Sequence, residues 1–252
     1  MKKGFTLAEV LITLAIIGVV AAITIPTVIN NYQKQNLYSQ FVYTYNTFSR
    51  VFQLMYTDGE TSQAFLASNK GSTTDETQID GLFNSLLTHL KYTVKCEARE
   101  KRCFKDNSNI FYKNLSGTTK NEIFYMSQAR PIYSLPNGTD FSYVYSGIVK
   151  KEGAPGPDFS YSLLSIVADV NGIEKGPNLI GRDLFIFFFP PFTQTLLPSN
   201  SRVISNLGEL HKGKTPMINN EKAETLCDPN NNDKDSGTTC GIKLMREKKM
   251  NY

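Results

Sequence analysis

Residues 5–25 read FTLAEVLITLAIIGVVAAITI. At about 1.5 Å of rise per residue, a helix of this length crosses about 30 Å of hydrocarbon. Lys2 and Lys3 precede it and favour a cytoplasmic N-terminus by the positive-inside bias, which leaves the remainder of the chain outside. Pro26 closes the run, and the polar stretch NNYQKQN begins at Asn30. One residue is out of place. Glu9 puts a carboxylate among greasy side chains, where it costs on the order of 3 kcal/mol at mid-depth.

Three readings of this segment compete. A secretory signal cut near Ala21-Ala22 accounts for the apolar run but not for its length or for Glu9. A plain single-span anchor accounts for the length alone. A cut between Gly4 and Phe5 accounts for both. It liberates an α-amino group at Phe5, which in a packed array of helices can meet Glu9 of a neighbour. Each charge is then neutralised in a medium of low dielectric.

KGFTLAEVLITLAIIGVVAAITIP, residues 3–26, resembles the type III signal and N-terminal helix of type IV pilins and type II secretion pseudopilins. The resemblance implies cleavage after Gly4 by a prepilin peptidase and methylation of Phe5. It assigns Glu9 to assembly and makes Pro26 the point where the helix kinks or loosens. The implied partners are the peptidase, other pilin or pseudopilin subunits, an assembly platform in the cytoplasmic membrane, and the lipid bilayer before assembly. The implied location is the cytoplasmic (inner) membrane, single-pass with the head outside, and then a pseudopilus or pilus filament.

Working outward, Leu37, Phe41, Phe48, Phe52 and Met55 recur on one face of a helix that Asp58-Gly59 ends. Unbroken from Phe5 to Thr57, this helix would be roughly 80 Å long. The expected organisation is a leader (1–4), a transmembrane and filament-core helix (5–29), an amphipathic continuation (30–58), and a periplasmic or extracellular head (59–252). A bland alternative is an anchor and a separate domain helix, broken at Pro26. Ile79, Leu82, Phe83, Leu86, Leu87 and Leu90 predict a second amphipathic helix, with Ser72, Thr73 or Thr74 as its cap. From about residue 110, short aromatic and β-branched runs predict strands: IFYMS, PIYSL, FSYVYSG, YSLLSIVA and LFIFFF. Asn137-Gly138 marks a hairpin. The predicted class is α+β: a long spine helix packed against a globular head with an antiparallel sheet.

The chain has 252 residues and a net charge of +4, two charges of which come from Lys2 and Lys3. So weak and scattered a balance gives no reason to expect nucleic acid. The four cysteines, Cys96, Cys103, Cys227 and Cys240, lack Cys-x-x-Cys spacing. They permit three disulfide pairings. Cys96–Cys103 and Cys227–Cys240 are favoured because each closes a short loop; four unpaired small hydrophobes are the alternative. The second pair resembles the disulfide-bounded C-terminal loop of type IV pilins. That loop, CDPNNNDKDSGTTC, reads as solvated, and GIKLM with KMNY reads as a closing hairpin.

ADVNGIEKGPNLIGRD, residues 168–183, places oxygen side chains ahead of a glycine turn. Asp169, Asn171 and Asp183 are candidate calcium ligands, calcium being a cofactor of several pseudopilins. The competing reading is a long connection in which Asp, Asn, Gly and Pro serve turn geometry. No cofactor is required by the chain's chemistry. Gly-x-Ser-x-Gly, His-Glu-x-x-His and phosphate-loop motifs are absent, which disfavours an enzyme. Two functions remain: a filament subunit, and a non-polymerising membrane-anchored periplasmic binding or enzymatic domain.

Overall fold

A computed structural model describes residues 4, 6–60, 76–105, 108–150, 160–190, 193–199, 203–205 and 215–252. Phe5, the caps expected at residues 72–74 and all of residues 151–159 lie outside these. Helix α1 runs from Leu7 to Thr57, 51 residues, about 77 Å at 1.5 Å each. It continues through Pro26, so the spine is one element rather than an anchor and a separate helix.

The two halves of α1 differ in what surrounds them. An 18-residue apolar window near its N-terminus is wholly unburied. From Leu37 onward one stripe is covered: Leu37, Phe41, Thr44, Phe48, Val51, Phe52 and Met55. Helix α2 (Glu76–Thr88) buries Ile79, Leu82, Phe83, Leu86 and Leu87 in the same core.

The strands are β1 (Thr93–Cys96), β2 (Ile110–Lys113), β3 (Lys120–Met126), β4 (Ile132–Ser134), β5 (Asp140–Lys150), β6 (Ser160–Asp169) and β7 (Leu184–Phe189). Five form an antiparallel sheet in the order β1-β4-β5-β6-β7, and β2 and β3 pair separately. The Asn137-Gly138 turn joins β4 to β5, with Gly138 at φ 87°. Its geometry is closed by the Leu135 N–H donating to the Thr139 carbonyl at 2.9 Å.

Strand β7 is buried at all six positions, so it packs on both faces. Phe185, Phe187 and Phe189 meet Phe41, Phe48 and Phe52 of the spine at centroid distances of 4.6, 5.3 and 5.0 Å. Both sets ascend together, so β7 runs along the spine in the same direction. A step of two on a strand, about 6.6 Å, matches a step of four on a helix, about 6 Å, as between Phe48 and Phe52. On the other face, Leu184 and Ile186 join Tyr112, Phe124 and Met126 of the β2–β3 hairpin. Each buried phenylalanine contributes about 2–3 kcal/mol, so this ladder is what ties head to spine. Thr44 sits in the stripe as a polar exception, and its hydroxyl pairs with that of Thr139 at 2.9 Å.

The C-terminal region departs from the sequence reading in two ways. Residues Cys240–Glu247 form helix α4, not a hairpin, following α3 (Asn220–Leu226). Cys240, Gly241 and Leu244 are its buried positions, a helical spacing. The loop between Cys227 and Cys240 is solvated only in its first half. Asp235, Ser236, Thr238 and Thr239 are buried. Asn114 and Asn121 reach across and donate to the carbonyls of Asp233 and Lys234 at 3.1 and 2.8 Å, which draws the loop onto the β2–β3 hairpin. Gly237, at φ 100°, lies so close to Ile180 that a Cβ would stand 2.0 Å from its carbonyl oxygen. Both disulfides, Cys96–Cys103 and Cys227–Cys240, are present.

Candidate processing and assembly site

Gly4 is exposed and outside any regular element; Phe5 lies outside the described residues. Helix α1 starts immediately after Thr6, its N-cap. The Thr6 hydroxyl accepts from the Glu9 N–H at 3.3 Å. Glu9 answers by accepting from the Thr6 N–H at 2.8 Å and its hydroxyl at 2.9 Å. This reciprocal arrangement is a capping box, which satisfies otherwise orphaned donors at a helix start. Glu9 therefore has an intramolecular partner within its own chain. Sequence reasoning missed Thr6, although Thr-x-x-Glu ahead of an apolar run is the legible signal of a capping box.

Beyond the cap, the helix presents a continuous apolar surface. Leu7 is 81% exposed, and Leu11, Ile12, Leu14, Ile17 and Val19 are each about 60% exposed. Gly18 has open space around it, which leaves room for another helix to approach closely. Pro26 supplies no N–H to the Ala22 carbonyl. On either side of it, Thr24 and Thr27 donate their hydroxyls to Val20 and Ile23 carbonyls at 2.9 and 3.4 Å.

The residues expected to hold calcium take part in a hydrogen-bonded cluster. Asp183 accepts from the N–H groups of Asn178, Leu179 and Leu184 at 2.5, 2.6 and 3.1 Å. Asp169 accepts from the Tyr112 hydroxyl at 2.8 Å and the Asn171 N–H at 3.3 Å. Asp140, beside them, accepts from Lys95 Nζ at 2.6 Å and from the Ile173 N–H at 3.0 Å. Burial pushes the Asp169 carboxyl up to about 8, with the charge of Asp183 adding to the shift. Burial also lifts Asp183, to about 6, against the pull of its backbone donors. Calcium needs six to eight converging oxygens. The Asp169 and Asp183 carboxylates take N–H and O–H donors here, which is an arrangement that serves turn geometry, while Asn171 Oδ1 takes none among the described residues.

A different trio does converge. Ligand atoms of Asp58, Glu60 and His89 lie within 4.8 Å of one another where α1 ends beside α2. His89 Nε2 stands 3.2 Å from Glu60, which also accepts from the Ser85 hydroxyl. The Ser85 bond, followed by the His89 contact, holds the Glu60 carboxyl below its usual range. The contact pins the end of the spine to the second helix.

Residues 1–25 match the prokaryotic N-terminal methylation motif. No curated protein and no solved structure matches the chain. The match is to the prepilin-type cleavage and methylation signal of type IV pilins and pseudopilins, and it spans the cap, Glu9 and most of the bare apolar surface.

Proposed function

We propose that this prepilin-type substrate is cut after Gly4, methylated on Phe5, and assembled as a structural subunit of a type II secretion pseudopilus or a type IV pilus. The motif implies processing by a prepilin peptidase and assembly with other pilin-type subunits. The observation that carries the reading is the contrast along one helix. Its outer half is clasped by a head through a phenylalanine ladder, while its inner half is bare, apolar and preceded by the processing signal. Such a surface is stable in lipid and equally stable against copies of itself, so transfer from bilayer to filament core exchanges one apolar environment for another. We place the chain in the cytoplasmic membrane before assembly, with the head outside; the apolar helix fits a membrane-anchored protein of this type.

The capping box favours a second reading. Because Thr6 partners Glu9 within one chain, Glu9 has a use even in a tether that never polymerises. That reading is a membrane-anchored periplasmic binding or enzymatic domain. Assembly separates the two. The parent chain should be recovered in sheared filaments, and Glu9→Leu should keep it out of them or abolish the secretion phenotype; a parent chain absent from filaments, with a phenotype indifferent to Glu9→Leu, would favour the tether.

A further inference from the structure

We propose that the underside of the head, where Arg182 meets the spine at Asn30, binds the phosphate of an anionic phospholipid in the outer leaflet. This rests on the reading of residues 5–29 as a membrane span. The level of the site follows from α1 itself. The continuous run of exposed apolar side chains ends at Ile29, 51% exposed, and Asn30, Asn31 and Tyr32 follow. Tyr32 is 71% exposed, an aromatic ring at the depth where such rings prefer the headgroups. The headgroup layer is roughly 5–7 Å thick on each side, about four or five residues of helix. Arg182 Nη2 lies 3.4 Å from Asn30 Oδ1, so a residue of the head reaches down into that layer.

The charge around this point is one-sided. Lys34 of the spine, Lys175 and Arg182 of the β6–β7 connection, and Lys248 and Lys249 after α4 gather near the base of the head. Among the described residues, none of the five is in an ion pair. The acids nearest in sequence are engaged elsewhere: Asp183 with the N–H groups of Asn178, Leu179 and Leu184, Glu174 with Lys95 at 3.8 Å and Glu247 with Arg246 at 3.4 Å. A cleft of about 260 Å³ opens between the spine and the β6–β7 connection, lined by Gln33, Gln40, Lys175 and Arg182. A second, of about 410 Å³, holds Lys34, Lys248 and Lys249 on its walls.

The unsatisfied atoms specify the ligand's chemistry. Among the described residues, Arg182 Nε is buried without an acceptor, and Asn171 Oδ1, on a residue lining the same cleft, is buried without a donor. A buried donor left unmade costs about 1–3 kcal/mol, so each calls for a partner. A guanidinium is matched to phosphate oxygens in geometry and charge. A hydroxylated headgroup on the same phosphodiester would donate to Asn171. The ligand class is therefore an anionic phospholipid with a hydroxyl-bearing headgroup. Held there, it would fix the height and rotation of the head on the membrane until the subunit leaves for the filament.

The test uses the full chain in nanodiscs containing equal parts phosphatidylglycerol and phosphatidylcholine, with retained lipids counted by native mass spectrometry. Phosphatidylglycerol should be retained in excess. Arg182→Gln and Lys34→Gln should each cut that excess about fivefold, the equivalent of about 1 kcal/mol per basic residue at an anionic surface. Arg182→Lys should recover part of the loss, and melting of all three variants should match the parent. Equal retention of both lipids, or an excess unchanged in the double glutamine variant, would overturn the proposal. So would loss of the excess on adding inorganic phosphate, which would make this a free-phosphate site. Alkaline carbonate extraction keeps the two claims apart. A chain that stays in the membrane but shows no lipid preference contradicts the headgroup site alone, whereas a chain that is extracted contradicts the span.

Discussion

The Glu9 carboxylate takes two hydrogen bonds from Thr6, at 2.8 Å from the backbone N–H and 2.9 Å from the hydroxyl. A capping box works with Gln as well as Glu at this position, because an amide oxygen also accepts. Charge and cap can thus be separated. Glu9→Gln should leave the helix start intact and abolish incorporation into filaments. Thr6→Ala should cost about 1 kcal/mol of stability at the cap and still assemble. Circular dichroism and filament yield by electron microscopy read the two effects. Normal assembly of Glu9→Gln would mean that the charge has no role.

The phenylalanine ladder predicts where head and spine are joined. Phe48 is fully buried and meets Phe141 edge-on at 5.4 Å and Phe187 at 5.3 Å. Phe48→Ala should destabilise the protein by about 3–5 kcal/mol, read by denaturant unfolding in detergent. Tyr43, 44% exposed on another face of the same helix, is the control, and its alanine variant should change stability by less than about 1 kcal/mol.

Gly237 predicts a backbone effect. It combines φ 100° with a Cβ position 2.0 Å from the Ile180 carbonyl oxygen and 3.2 Å from Leu115. Gly237→Ala should cost roughly 2–4 kcal/mol, from left-handed strain plus displacement of the loop. Gly176→Ala, where nothing stands within 4 Å, should be tolerated. Thermal melting of the two variants gives the comparison.

The buried carboxylates predict a pH dependence of unusual sign. Asp169 titrates near 8 in the folded chain and near 3.8 when unfolded. Between those values the folded state holds a proton that the unfolded state has released. Stability should therefore fall as pH rises from about 4 to about 8, by up to about 1.4 kcal/mol per unit, and level off above. The groups facing it are Asp183, Asp140 and Tyr112, with Lys95 paired to Asp140. Asp169→Asn, which keeps an acceptor for Tyr112, should flatten the decline in melting temperature across this range. Added calcium should leave both curves in place.

Local patterns were readable in the sequence. The stripe Leu37, Phe41, Phe48, Phe52 and Met55 and the helix around Leu82 and Phe83 depend only on spacing, and Asn137-Gly138 only on tolerance of positive φ. What escaped depends on contacts distant in sequence. Strand β1 is four residues long and largely exposed, so no apolar alternation marks it. Helix α4 has three buried positions in eight residues, too short to separate from a strand by eye. The burial of Asp235–Thr239 follows from Asn114 and Asn121, more than a hundred residues away. Arg182 gave no signal at all, since its meaning lies in where the β6–β7 connection brings it against Asn30. Thr6 is legible in the sequence, since Thr-x-x-Glu ahead of an apolar run is the signature of a capping box.

The central claim is that a leader is removed to expose an amine at Phe5. The most direct measurement is the intact mass and N-terminal residue of the protein purified from membranes of cells containing a prepilin peptidase. The account predicts a chain lacking MKKG, beginning at Phe5 and heavier by one methyl group than the trimmed sequence. A chain that still begins at Met1 under those conditions would contradict it.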